Sequence, residues 1–203
     1  MNENKLSTVW KNSLFISLVP MGFFTYGGLF AIQTLWAGPW MIRVAGYTPL
    51  ESAQGLFIIY LSMLISFFCW GYFVPKFSKN INDAIRWLKF GAPINLIVLA
   101  IIIYLGPKAG SIHWAIFIVS SIFLSLAHPA VGMAFSLSNA GKALTSFNLL
   151  LFIGAFFMQW VMGLIIDAGM SFNLSEINSF KLAMIFVFIT SLFSYFFFIK
   201  KIK

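Results

Sequence analysis

Residues 35–40, Leu35-Trp36-Ala37-Gly38-Pro39-Trp40 (LWAGPW), close an apolar run that begins near residue 14 and also holds Gln33. Crossing the hydrocarbon core of a bilayer takes about 20 mostly apolar residues, and this run is longer than that. The stretch therefore reads as the end of a membrane-crossing helix. Two indoles, a nearby amide and a helix-breaking Gly-Pro pair stand where a plain anchor would carry leucines. Both the polar groups and the break call for a role beyond anchoring.

The rest of the 203-residue chain has the same character. Hydrophobic residues make up 61% of it and charged residues 9%, with a mean hydropathy of +0.93. Soluble proteins carry roughly 25% charged residues, so this chain lacks the polar groups to clothe a water-facing surface. The net charge is +8, but the basic residues sit in short loops between apolar runs, a pattern of membrane topology and not of nucleic-acid binding. The single cysteine, Cys69, excludes an intrachain disulfide and a multi-cysteine metal site. The first apolar run is too long for a signal-peptide core and offers no credible cleavage site around Tyr26, Gly27 and Gly28, so it is expected to be retained.

Six runs are long enough to span, near residues 14–40, 51–74, 86–105, 112–137, 143–166 and 181–199. Turn chemistry separates them: Gly46 to Pro49, Pro75 to Asn82, Gly106-Pro107, Asn139-Ala140-Gly141 and Asp167 to Asn178. The expected fold is an all-α integral membrane protein with six transmembrane helices. Ten of the 13 basic residues, from Lys5 and Lys11 through Lys76, Lys79 and Arg86 to Lys200, Lys201 and Lys203, fall on the side of both termini; Arg43, Lys108 and Lys181 fall on the other. Cytoplasmic loops are the basic ones, so both termini are expected inside. The organisation is then a cytoplasmic tail (1–12), a transmembrane domain (13–199) and a basic cytoplasmic tail (200–203). Between Pro75 and Lys89, Ile81, Ala84, Ile85 and Leu88 share one helical face, and Asn82, Asp83, Arg86 and Lys89 the other. This predicts an amphipathic turn at the cytoplasmic interface, or simply a basic topology anchor.

Polar residues inside the runs fall in stripes. Tyr26, Gln33 and Trp40 recur at seven-residue spacing in the first, with Trp36 beside them. Ser121, Ser125, His128, Gly132 and Ser136 step down one face of the fourth, and Thr145, Asn148, Phe152, Ala155 and Gln159 down one face of the fifth. An unpaired polar group in hydrocarbon is costly, so these stripes face either neighbouring helices, as hydrogen-bonding glue, or a water-filled cavity. Gly27-x3-Ala31 and Ala130-x3-Ala134-x3-Ser138 fit close helix contact. No Asp, Glu, Lys or Arg lies mid-span, and His128 is the one mid-span residue of a type that can switch charge near neutral pH. Proline inside a helix removes a hydrogen bond and crowds the preceding turn. The first run has Pro20 and Gly38-Pro39; the fourth has His128-Pro129 and then Gly132. Breaks at matching positions of two three-helix sets point to a substrate pathway, with Gly38, Pro39, Pro129 and Gly132 as hinge candidates.

Gly27-Gly28, Gln33, LWAGPW, Gly46-Tyr47 and Ala53 together resemble the start of the C-terminal half of a major facilitator superfamily transporter. The fifth run, from Gly141-Lys142-Ala143 through Asn148, Gly154-Ala155-Phe156, Gln159 and Gly163 to Asp167, is similar to that family's penultimate helix. The resemblance extends from about Lys11 to the end. It implies half of a twelve-helix bundle: a 3+3 inverted repeat with both termini inside. The loop motif of that family is degenerate here. Gly71, Lys76 and Lys79 are kept, but Pro75 replaces the acid and Ser78 a glycine, which removes the carboxylate that the family's charge-paired gate uses.

What the resemblance implies for function is secondary active transport of a small solute by alternating access. The first and fourth helices would line the cavity, through Tyr26, Gln33 and Trp36 and through Ser121, Ser125 and His128; the stripe of the fifth run adds Asn148 and Gln159. Six helices are half the family's number, so the expected partners are a separate N-terminal six-helix half or a parallel second copy, besides the bilayer and the solute. A multi-pass position in the cell (inner or plasma) membrane is expected, with no nucleic acid, cofactor or metal. The alternative is a truncated or accessory membrane protein without transport activity. Enzyme chemistry is not expected: no serine lies in a Gly-x-Ser-Gly context, and His113 and His128 have no mid-span acids beside them.

Overall fold

The computed structural model describes residues 6–202, leaving Lys5 and Lys203 of the topology count outside the described residues. Every regular element among the described residues is helical. After a short helix, Leu6–Val9, six helices long and apolar enough to cross a membrane follow: Ser13–Arg43, Pro49–Phe77, Ile81–Lys108, Ser111–Met133, Leu137–Ser171 and Glu176–Ile202. This is the architecture of a multi-pass membrane protein.

The first span is the axis of the bundle. Of its most apolar stretch 67% is buried, against 6% for the second span. Asn12 caps its start, its side chain accepting from the Phe15 amide at 3.0 Å. It then alternates between α-helix and wider π-helical turns at Met21–Tyr26 and Ile32–Trp36. Pro39 explains the second widening: its ring crowds the Leu35 carbonyl one turn back and offers that carbonyl no N–H. At the first, the Ser194 hydroxyl reaches across from the sixth span and donates to the Pro20 carbonyl at 3.0 Å.

The first and fifth spans cross at backbone contact. A Cβ on Gly27 would lie 2.5 Å from the Gly154 carbonyl carbon, and one on Gly154 would lie 2.9 Å from the Phe23 carbonyl carbon. Only glycine fits both sides of such a crossing. The sixth span packs on the first, third and fifth, and the fourth packs between the second and third.

Several boundaries lie beyond the expected ones. Thr48 and Glu51 form a reciprocal cap on the second span, and the helix runs on through Pro75 to Phe77. Asn80 caps the third span by accepting from the Asp83 amide at 3.0 Å. The amphipathic segment 81–89 is therefore the first turns of that span, with Ala84 and Leu88 buried in the bundle, and not a separate turn on the interface. The fifth span is 35 residues long, ~52 Å at 1.5 Å per residue, so it outreaches a ~30 Å hydrocarbon core.

The fourth span departs most. It ends at Met133, and Ser136 instead stands, in extended conformation, immediately before the first turn of the fifth. Its middle, Ser121–Leu126, is a 3-10 helix. Pro129 cannot donate to the Ser125 carbonyl, and Ser120, Ser121 and Ser125 each turn a hydroxyl back onto the carbonyl three residues earlier, at 2.7, 2.6 and 2.7 Å. Both effects favour the tighter winding.

Candidate functional site

Four of the expected cavity residues meet. Tyr26 of the first span, Ser125 and His128 of the fourth and Asn148 of the fifth line one hollow of about 290 Å³, with Phe30, Phe67, Leu151 and Phe152 as its apolar walls. His128 Nε2 lies 2.9 Å from Asn148 Oδ1, so with hydrogen on Nε2 the ring donates to the amide oxygen. The imidazole is held edge-on between Tyr26 and Phe147, with centroids 5.8 and 5.3 Å away. The Tyr26 hydroxyl donates to the Leu124 carbonyl inside the 3-10 segment. Its ring is therefore a wall of the hollow and its hydroxyl a brace for the distorted helix. Ser125 accepts from Trp70 Nε1 at 3.0 Å.

Gln33, Trp36 and Gln159 form a second polar group, about 10 Å further along the first span at 1.5 Å per residue. Gln159 Nε2 donates to Thr34 Oγ1 at 2.8 Å, and Trp36 Nε1 donates to the Gln159 carbonyl at 3.3 Å. Gln33 Nε2 approaches the Met63 sulfur at 2.8 Å, while the Gln33 carbonyl accepts from the Tyr60 hydroxyl at 2.8 Å. These bonds fall on the π-helical turn Ile32–Trp36, where the backbone is already wide.

Ser121 does not join either group. It is 5% exposed and its hydroxyl is spent on the Ile118 carbonyl. In a 3-10 helix of 3.0 residues per turn, positions 121 and 125 stand about 120° apart; an α-helix would put them about 40° apart. The stripe expected on the fourth span is thus sheared between Ser121 and Ser125.

Of the hinge candidates, Gly38 lies under Leu56 and its carbonyl accepts from Ser52 at 3.2 Å. Pro39 and Pro129 each follow a distorted segment by three residues, the π-turn ending at Trp36 and the 3-10 turn ending at Leu126. Gly132 faces Leu144 of the fifth span. Trp40 is fully buried; it donates to the Ala109 carbonyl at 3.0 Å and meets Trp114 edge to face at 5.6 Å. It ties the first span to the start of the fourth and does not anchor at a membrane interface. In the loop motif, Gly71 faces open space, the Lys76 ammonium sits 3.8 Å from the Tyr72 ring centroid, and the Lys79 amide donates to Asp83.

Sequence reasoning missed Phe67, Trp70, Tyr60 and Met63, all on the second span. That span is almost evenly apolar, so no periodicity marked the face that turns toward the cavity. Thr34 was detectable as the hydroxyl neighbour of Gln33. No Asp, Glu, Lys or Arg lines the 290 Å³ hollow, and among the described residues no group of three His, Cys, Asp or Glu stands close enough to hold a metal ion. The hollow can receive a small, mostly apolar body and offer it the His128 imidazole and the Asn148 amide, the hydroxyls of Tyr26 and Ser125 being bonded to backbone carbonyls. Comparison with protein-family models, with curated proteins and with solved structures finds no match to this chain.

Proposed function

We propose that the chain is a six-helix half of a secondary carrier of the major facilitator type, moving a small solute by alternating access. A separate six-helix N-terminal half, or a second copy in the same orientation, would complete it. One observation carries this proposal: polar groups of the first, fourth and fifth spans converge on one hollow, which Phe67 of the second span also lines. The second and fifth spans flank it with exposed aromatic faces, including Phe68, Phe152, Phe156 and Trp160, as a covering partner would require. The π and 3-10 turns of the first and fourth spans support it too, because irregular backbone at membrane depth is tolerated where it lines a cavity or is buried in protein. In this account His128 and Asn148 exchange their mutual bond for bonds to solute, and Gln33, Trp36 and Gln159 form the next station toward LWAGPW.

A second possibility has its own support. Each amide and imidazole in the two groups already has a partner within the chain. That suits helix glue in an accessory or truncated protein without transport.

A thermal-shift screen of small solutes on the purified protein separates the two. Binding at 100 times Kd adds about 2.7 kcal/mol to folding stability. The carrier account expects a stabilising solute whose effect is lost in Gln33→Leu and Asn148→Leu. A solute effect that survives both substitutions would remove the cavity assignment.

A further inference from the structure

A second hollow lies away from the polar groups, on the outer surface between the third and sixth spans. It measures about 710 Å³ and is lined by Ala100, Ile103, Tyr104, Lys181, Ile185 and Ile189, with Phe188 at its back. A smaller hollow of about 300 Å³ continues it along Pro93, Leu96 and Ile97, sharing Ala100 and Phe188. The far end closes at Tyr195, whose hydroxyl donates to the Lys89 carbonyl at 3.1 Å. From Pro93 to Tyr104 the groove follows twelve residues of one helix, whose ends are ~17 Å apart at 1.5 Å per residue step. That is about the depth of one leaflet of a ~30 Å core.

The lining is aliphatic and aromatic except at one end. There the Lys181 ammonium lies over the turn Gly106–Lys108 that closes the third span; a Cβ on Gly106 would be 3.6 Å from its nitrogen. Among the described residues Lys181 has no carboxylate partner, and the ion pair nearby in sequence joins Arg43 to Glu176 at 3.7 Å. Lys108, in the same turn, adds a second positive charge at that end. A groove one leaflet deep, apolar along its length and cationic at its mouth, is complementary to a lipid with an acyl chain and an anionic head.

We infer that this groove binds one acyl chain of an anionic phospholipid, whose phosphodiester pairs with Lys181, in the leaflet at the Gly106–Lys108 end. A choline head group brings its own cation, which competes for the phosphate and is repelled by Lys181 and Lys108. The preference is therefore for a head group without one. The site is complete within this chain and does not rest on the transport proposal.

Native mass spectrometry tests it. The full chain, in detergent, is offered equimolar phosphatidylglycerol and phosphatidylcholine with identical acyl chains. The expected result is one retained phosphatidylglycerol, favoured about fivefold. The preference should vanish in Lys181→Gln and persist in Lys76→Gln, a basic residue at the opposite end of the bundle. Ala100→Trp should fill the groove and lower retention of both lipids; circular dichroism establishes whether each variant is folded, and if Ala100→Trp is not, Lys181→Gln decides. Equal retention of the two lipids by the wild type, no retained lipid, or a preference that survives Lys181→Gln would overturn the inference.

Discussion

Gly154→Ala probes the crossing that holds the first and fifth spans together. The added methyl would meet the Phe23 backbone, with the carbonyl carbon and Cα both at 2.9 Å, and backbone cannot rotate away as a side-chain tip can. Overpacking of this kind costs about 1–3 kcal/mol, while replacing a helical glycine by alanine returns about 0.5–1 kcal/mol. The net expectation is a loss of about 1–2 kcal/mol. Gly71→Ala is the matched control, because a Cβ there meets nothing within 4 Å; it should gain about 0.5–1 kcal/mol. At about 2–4 °C per kcal/mol for a chain of this size, the two variants should melt roughly 3–12 °C apart. The assay is thermal unfolding in one detergent, followed by the fluorescence of the seven tryptophans. Gly27→Ala strikes the same crossing from the other side, so the double variant should lose less than the sum of the two. Gly154→Ala melting at or above Gly71→Ala would refute the close crossing.

Two further perturbations can be read by the same melts. Trp40→Phe keeps an aromatic ring against Trp114 but strips the Ala109 carbonyl of its donor, for an expected loss of about 1–3 kcal/mol; Trp160→Phe, on an exposed face, should stay within about 0.5 kcal/mol of wild type. A double-mutant cycle of His128→Ala and Asn148→Ala should give a coupling of about 0.6 kcal/mol, with a ceiling near 1.7. A coupling of zero would mean that the bond between them is not formed.

Length and hydropathy alone made the six spans legible, because a bilayer imposes one length on every crossing. The ends were less legible. Apolar runs stop where the hydrocarbon stops, but capping groups at Asn12, Thr48 and Asn80 start the helices earlier, and the fifth span continues well past both ends of its apolar run. For the site, the periodicity of the first and fifth spans brought out Tyr26, Gln33, Asn148 and Gln159, and the structure sets Tyr26 beside Asn148 and both amides within reach of other spans. The fourth span misled at Ser121, since α-helical spacing was applied to residues that wind as a 3-10 helix. Trp40 shares the seven-residue spacing of Tyr26 and Gln33, but a buried acceptor at Ala109 holds its indole inside the bundle against Trp114. Phe67 and Trp70 left no polar signal at all.

The central claim is that the hollow at Tyr26, His128 and Asn148 opens to water and not to lipid. Thiol accessibility tests this most directly. Cys69 is exposed and is the protein's sole cysteine, so a Cys69→Ser background is silent. In native membranes, Asn148→Cys should react with a membrane-impermeant methanethiosulfonate reagent, while Ile97→Cys, on the outer surface of the third span, should not. If Asn148→Cys is as inert as Ile97→Cys, the polar groups are facing lipid or sealed within protein, and the account of a solute pathway through this chain fails.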